Sequence, residues 1–360
     1  MHRRRSSIIA VIILGFILCL LNVLLLGCLK IQRKSTVNSD SYEFRKRILP
    51  TFAPPTEIRP IIILSTFRTG SSLTGDILQR AEDSFYLYEP LNPLNYLLSR
   101  NVTRLQLVNG SVRSIGVYDF NKVSVDILTS LITCNFSSLD IDVVTHGFLF
   151  YSTKSIPYIT CVNVEKRGTP LVSAVRKCLP IWKESCENST YRIFKIVRLS
   201  MDWMKQLLDK FPKLLVVHLV RDPRPIQVSR DKLGANIFKD LRKSFHDLCD
   251  LLSWNLFFEV SLNNTYSRIV RLYYEHLALH PFRTTKWLYN TLGLHYTPEV
   301  QKHVHHLTSA GHLDDCPICA VRANSSAHVY SWKGVFNQSQ LDDIQEVCGQ
   351  YMRQLGYTTE

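Results

Sequence analysis

Two aliphatic runs that each end abruptly in a basic loop constrain this chain more than any other feature. Arg59-Pro-Ile-Ile-Ile-Leu-Ser-Thr-Phe67 opens on a proline and carries four consecutive aliphatics, and Leu214-Leu-Val-Val-His-Leu-Val220 is apolar except for one histidine. Unbroken apolar runs of strand length predict strands buried on both faces, the habit of parallel sheets. Parallel strands need crossovers, usually helical, so the chain reads as α/β: a central, mostly parallel sheet with helices on both faces. Ligands of such sheets bind beyond the carboxyl ends of the strands, which is where both basic loops fall.

The first loop, Thr66-Phe-Arg-Thr-Gly-Ser-Ser72, leads into Leu73, Ile77 and Leu78 at helical spacing. Strand, small-residue loop and helix N-terminus together make an anion cradle. Gly70 permits close approach, backbone N–H groups and the Ser71 and Ser72 hydroxyls donate, and Arg68 adds a permanent forked charge. A plain βα turn with capping serines would read the same way from this segment alone. No Gly-Lys-Ser/Thr occurs in it, so the Walker pattern of nucleotide hydrolases is absent here. The second loop, Arg221-Asp-Pro-Arg-Pro-Ile-Gln-Val-Ser-Arg230, sets two guanidiniums at the sheet edge and starts a helix near Pro225, with Ser229 about one turn along it.

Before the first strand, Ile8–Leu29 is a run of 22 residues without a charge. At full helical rise it spans about 33 Å, enough for a bilayer core. Arg3, Arg4 and Arg5 precede it, and Lys30, Arg33 and Lys34 follow it. A cleaved signal peptide would have a shorter apolar region and a small-residue cleavage site. The expected organisation is a cytoplasmic tail at 1–7, a signal anchor at 8–29, a proline-punctuated stem at 30–59 and a lumenal domain at 60–360. Seven N-x-S/T sequons, at Asn101, Asn109, Asn135, Asn188, Asn263, Asn324 and Asn337, fit that placement. So do eight cysteines beyond the span, enough for up to four disulfides. Cys316-Pro-Ile-Cys319, with His303, His305, His306 and His312 nearby, reads as half-cystines in an oxidising lumen rather than a zinc site.

An apolar content of 46% with 20% charged residues excludes a disordered chain. The net charge of +13 points to an anionic partner, yet six of those charges flank the apolar span. The remaining +7, from 37 basic and 30 acidic residues, is too modest to signal a polymer-binding surface by itself. Lumenal placement and the lack of a basic-aromatic motif exclude a nucleic-acid partner.

Ser65-Thr-Phe-Arg-Thr-Gly-Ser-Ser72 resembles the 5′-phosphosulfate loop of Golgi carbohydrate sulfotransferases, and Val217 through Arg230 resembles their 3′-phosphate motif. Further blocks follow in the family's order: Tyr88-Glu-Pro-Leu91, Phe194-Lys-Ile-Val-Arg198, Leu272-Tyr-Tyr-Glu-His-Leu277, Trp332, and Cys348 through Leu355-Gly-Tyr357. The likeness spans roughly 60–357 and is nearest the branch that sulfates the 6-hydroxyl of GlcNAc, Gal or GalNAc. Phe67 stands where that family most often has Trp, and Thr69 replaces a common Ser. The stretch from about Asn92 to Tyr191 matches least and is expected to hold acceptor-specific loops.

The resemblance implies a nucleotide-kinase-like fold and a Golgi membrane location. It also implies the donor 3′-phosphoadenosine 5′-phosphosulfate (PAPS), no metal, and a glycan or glycosaminoglycan acceptor. Thr66, Phe67, Arg68, Thr69, Gly70, Ser71 and Ser72 would hold the phosphosulfate. Arg221, Asp222, Pro223, Arg224 and Ser229 would hold the 3′-phosphate. Arg68 would also be catalytic, and Glu89 is the expected base, with His146 and His218 as alternatives. Lys195 and Arg198 would orient the acceptor or the leaving phosphate, or bridge the sheet edge. Glu275 reads as structural, and Trp332 reads either as a platform for a sugar or adenine ring or as a packed core aromatic. A lumenal glycan-binding protein that kept the fold and lost catalysis is the competing reading, and a homo-oligomer is compatible with either.

Overall fold

The computed structural model describes residues 57–116, 118–309, 320–322 and 324–357. The tail at 1–7, the span at 8–29, the stem as far as residue 56, and Cys316 and Cys319 lie outside the described residues. Among the described residues no helix is long and apolar enough to cross a membrane.

The central sheet has five strands: β1 (Arg59–Leu64), β2 (Ser84–Tyr88), β5 (Tyr191–Ile196), β6 (Leu215–Val220) and β7 (Ile269–Tyr273). Their spatial order is β2-β5-β1-β6-β7, and every pairing is parallel. A two-stranded antiparallel ribbon, β3 (Arg104–Gln106) with β4 (Val112–Ser114), stands apart from it. The expected α/β architecture is present, and the main sheet is wholly rather than mostly parallel.

Alternation along β1 explains why its sequence shows no polar face. Ile62 and Leu64 join Phe194 and Ile196 of β5 in one apolar core, while Ile61 and Ile63 pack with Leu73 and Ile77 in a second core on the other face. Both faces are covered by helices, so each successive side chain is buried. All four β1 aliphatics are fully buried. Together they withdraw enough apolar surface to contribute roughly 6–12 kcal/mol before the opposing cost of chain entropy.

The stretch expected to hold loops is largely helical, with helices at Phe120–Ile132, Ile156–Glu165 and Leu171–Glu187. Part of the packing that joins them is aromatic. Trp182 stacks between Phe136 at 4.1 Å and Tyr158 at 4.9 Å, and it meets Phe85 of β2 at 6.0 Å. Two disulfides, Cys134–Cys186 and Cys161–Cys178, close the same region.

A third core joins the long helix Leu241–Tyr266 to the C-terminal helix Gln338–Leu355, bridged by Cys249–Cys348. Three disulfides thus form among the described residues. Cys249 and Cys348 are 99 residues apart, so the bridge removes much freedom from the unfolded chain. Replacing both by serine is expected to cost about 2–5 kcal/mol in denaturant unfolding, with the far-ultraviolet circular dichroism of the native state retained.

Candidate functional site

Because the sheet is parallel, all five strands release their chains at one edge, and a cleft of about 420 Å³ opens there. Its wall draws on the segments after β1, β2, β5, β6 and β7. Six guanidinium or ammonium groups line it, from Arg68, Lys195, Arg198, Arg221, Lys232 and Arg322. A single carboxylate, Glu89, opposes them, leaving an excess of five positive charges. Burial, followed by the charges of Arg322 and Arg221, pulls the Arg68 pKa down. Cations held this close to one another favour an anion between them.

The cradle after β1 forms for local reasons. Gly70 caps the Ser71–Leu78 helix at φ 103°, and a Cβ there would come within 2.3 Å of the Tyr274 ring. Only glycine fits that angle and that gap. The N–H groups of the helix's first turn have no intrahelical acceptors and face the cleft end. Arg68 also has a left-handed backbone, at φ 75°, a conformation a side-chain-bearing residue holds only when its surroundings compel it.

Interlocking contacts compel it. The Arg68 Nε donates to Ser229 Oγ at 2.8 Å, the Arg221 Nη1 donates to the Arg68 carbonyl at 3.0 Å, and Arg230 donates to the Phe67 carbonyl. The two basic loops are thereby joined across the crevice between β1 and β6. Arg221 lies over the Tyr274 ring at 4.0 Å and donates to the His328 carbonyl at 2.7 Å. Its Nε is buried with no hydrogen-bond partner among the described residues. A buried guanidinium N–H left unpaired is costly, and a phosphate oxygen in the cleft would satisfy it.

The sequence-predicted residues divide here. Phe67, Arg68, Gly70, Ser71, Ser72, Glu89, Arg221 and Ser229 line the cleft. Thr66 and Thr69 are buried beneath the loop and hydrogen-bond to each other at 2.7 Å, which shapes the turn without facing a ligand. Asp222 caps the Pro223–Asp231 helix through the Arg224 N–H at 2.8 Å and pairs with the Arg224 guanidinium. Arg224 lies over Trp332 at 3.6 Å. Asp222, Pro223 and Arg224 therefore build the second loop from behind, outside the cleft wall. The helix begins at Pro223, which puts Pro225 in its first turn as expected.

Glu89 is buried, with a left-handed backbone at φ 45°, and both its oxygens are engaged. Lys195 Nζ donates to Oε1 at 2.7 Å and Arg198 donates to Oε2. Burial alone would raise the carboxyl pKa; the charges of Lys195 and Arg198 outweigh it and hold the group below its ordinary value. Lys195, itself buried, also donates to Ser72 Oγ at 3.2 Å and sits over the Tyr88 ring at 3.5 Å. A continuous polar path thus runs from the cradle helix through Lys195 to Glu89.

Of the alternative bases, His218 is buried against Glu259, its Nδ1 2.5 Å from Oε2, and Arg271 braces that carboxylate. It lies outside the cleft wall. Burial lowers the His146 pKa to about 4, partly offset by the charge of Glu89, so its ring is neutral at physiological pH. Glu275 accepts from the Asp222 N–H at 3.0 Å and from Tyr357 at 3.1 Å, a bracing position. Among the described residues no cluster of His, Cys, Asp and Glu could hold a metal.

Residues that sequence reasoning left out include Lys232, Tyr274, Arg322, His328 and Ser331. Lys232 was within reach, three residues past Ser229 on the same helical face. Arg322, His328 and Ser331 come from a segment with no motif of its own.

The sulfotransferase family model matches residues 181–298, which hold β5, β6 and β7 with Lys195, Arg198, Arg221 and Ser229. The chain is 26% identical over 336 residues to carbohydrate sulfotransferase 3 of Rattus norvegicus, covering 83% of this chain and 68% of that protein. It is 27% identical over 343 residues to carbohydrate sulfotransferase 1 of Danio rerio, covering 82% and 77%. The chain is thus similar to the sulfotransferase family over residues 181–298, and to the named carbohydrate sulfotransferases over most of its length. A mouse sulfotransferase solved in complex with PAP aligns with 82% of the chain and 85% of its own at 12% identity and a TM-score of 0.41, a likeness on which nothing further rests.

The Glu89 pairs are also a stability device with a pH signature. A carboxylate whose folded pKa is depressed stabilises the fold fully above its unfolded value, and that stabilisation is lost as pH falls through the folded value. The stability gap between the native chain and Glu89→Gln is therefore expected to be full at neutral pH and to shrink below pH 4.5, the ordinary value. Urea unfolding of both proteins across that range checks it.

Proposed function

We propose that this protein is a sulfotransferase that transfers a sulfuryl group from PAPS to a sugar hydroxyl, the 6-hydroxyl of a GlcNAc, Gal or GalNAc residue in a glycan or glycosaminoglycan. The observation that carries the reading is the buried, unpartnered Arg221 Nε at one end of a cleft with five excess positive charges. The relatives in rat and zebrafish, both carbohydrate sulfotransferases by name, support the sugar as acceptor.

The donor would supply an activated sulfuryl group together with two phosphate positions. Arg68, the Gly70–Ser72 turn and the Ser71 and Ser72 hydroxyls suit its 5′ end, where preorganised donors meet charge as it develops. Arg221 and Ser229 suit its 3′-phosphate. Lys195, bonded to Ser72 and Glu89 at once, is placed to neutralise charge between the two. Glu89 is ionised at working pH and accepts the proton of the acceptor hydroxyl. A protein that only bound glycans would have no need of this carboxylate buried beside a polyanion site.

We also propose the setting: a single-pass type II Golgi membrane protein, anchored at 8–29, with the domain and its sequons facing the lumen. Asn101, Asn109, Asn135, Asn188, Asn324 and Asn337 are exposed, and the three disulfides suit an oxidising compartment.

Calorimetry with PAP on the purified lumenal domain tests the donor site. Arg221→Ala is expected to weaken binding roughly tenfold to hundredfold, the worth of one or two charge-assisted hydrogen bonds. Glu89→Gln should bind PAP within about threefold of the native chain and lose on the order of a hundredfold or more in turnover of labelled donor. Unchanged PAP affinity in Arg221→Ala would remove the 3′-phosphate assignment, and unchanged turnover would remove Glu89 from the chemistry.

A further inference from the structure

The cleft has two chemically different ends. Arg68, Arg221 and Ser229 make one of them cationic. At the other, three aromatic rings line the wall beside Glu89: Tyr88 from the end of β2, and Phe148 and Tyr151 from the short turn Gly147–Tyr151. Their centroids are 5.2 Å apart for Tyr88 and Phe148, 5.0 Å for Tyr88 and Tyr151, and 6.0 Å for Phe148 and Tyr151.

The turn is anchored firmly enough to present these rings. Leu149 is buried in the core beneath it, and Ser152 Oγ accepts the Tyr88 N–H at 3.1 Å. His146 meets Phe148 edge-on at 5.9 Å. Tyr151 nevertheless stays 43% exposed. Aromatic surface held open to water at the mouth of a charged cleft serves neither core packing nor phosphate binding.

A pyranose has what this shelf lacks, an apolar C–H face on a ring edged with hydroxyls, and mixed faces of that kind suit aromatic walls with polar groups alongside. Building on the function proposed above, we propose that Tyr88, Phe148 and Tyr151 form a stacking subsite for the acceptor sugar ring, turning its hydroxyl-bearing edge toward Glu89. Phe148 and Tyr151 are then specificity-determining residues. Both lie in the part of the chain that departs most from the family pattern, where acceptor choice would be written.

The test uses the purified full chain with labelled PAPS and an N-acetylglucosamine-terminated oligosaccharide. Phe148→Ala and Tyr151→Ala are each expected to raise the acceptor KM about five- to tenfold, with kcat and PAP affinity within about twofold of the native values. Phe148→Trp should restore the acceptor KM. Tyr151 is exposed, so its variant keeps the test independent of folding. An unchanged acceptor KM in both alanine variants would overturn the shelf, as would a loss of PAP affinity in step with the rise in KM. Saturation-transfer NMR of the oligosaccharide, run without donor, separates this proposal from the donor assignment. Transfer to the sugar C–H protons that fades in Tyr151→Ala supports the shelf even if PAP fails to bind, and equal transfer in both proteins sinks it.

Discussion

Parallel pairing of β1 with β5 on one side and β6 on the other is the constraint on which everything else in this molecule depends. Parallel strands start at one edge and finish at the other, so five segments distant in sequence are delivered to a common rim. After β1 the chain crosses toward the β2 edge of the sheet, and after β6 it crosses toward the β7 edge. The loops following β1 and β6 therefore part around a crevice, which is where open α/β sheets bind ligands. Arg68 and Arg221 are 153 residues apart, yet the guanidinium of one bonds to the carbonyl of the other.

Charge distribution follows from that geometry. Across the whole sequence the positive excess is moderate and partly concentrated near the apolar span, whereas the cleft concentrates five net charges into a small volume. Mutual repulsion there is a standing cost, borne by the hydrogen bonds that lock the two loops together. Glu89 offsets part of it, and its left-handed backbone marks a residue held in place by Lys195 and Arg198 rather than by its own preference. The same carboxylate is thus the counter-charge of the resting site and shares the cleft wall with Tyr88, Phe148 and Tyr151.

Motif residues with outwardly similar credentials part company once folded. In the second loop, Arg221 faces the cleft while Arg224, three residues on, turns back to Asp222 and Trp332. In the first loop, Ser71 and Ser72 face it while Thr66 and Thr69 bond to one another underneath. Spacing along a sequence says that these side chains are near a ligand edge. It does not say which of them the turn rotates inward, because that is decided by neighbours such as Tyr274 and Trp332 from other elements.

The sequence by itself determined the local frame: the buried strands at β1 and β6, from their unbroken apolar runs, and the cradle, from a glycine no other residue can replace. The apolar runs and the left-handed backbone of Gly70 are local properties and so remain readable in one dimension, even though Tyr274 closes the gap around that glycine from far along the chain. Only the tertiary structure decided the strand order, the joining of Lys195 to Glu89 and Ser72, and the arrival of Phe148, Tyr151, Arg322 and His328 at the rim. The segments that carry these last residues have no phosphate motif and little periodicity, and the turn that bears Phe148 and Tyr151 is seated by Leu149 in the core. Long-range packing leaves no short-range signature, and it is there that the aromatic side of the cleft is built.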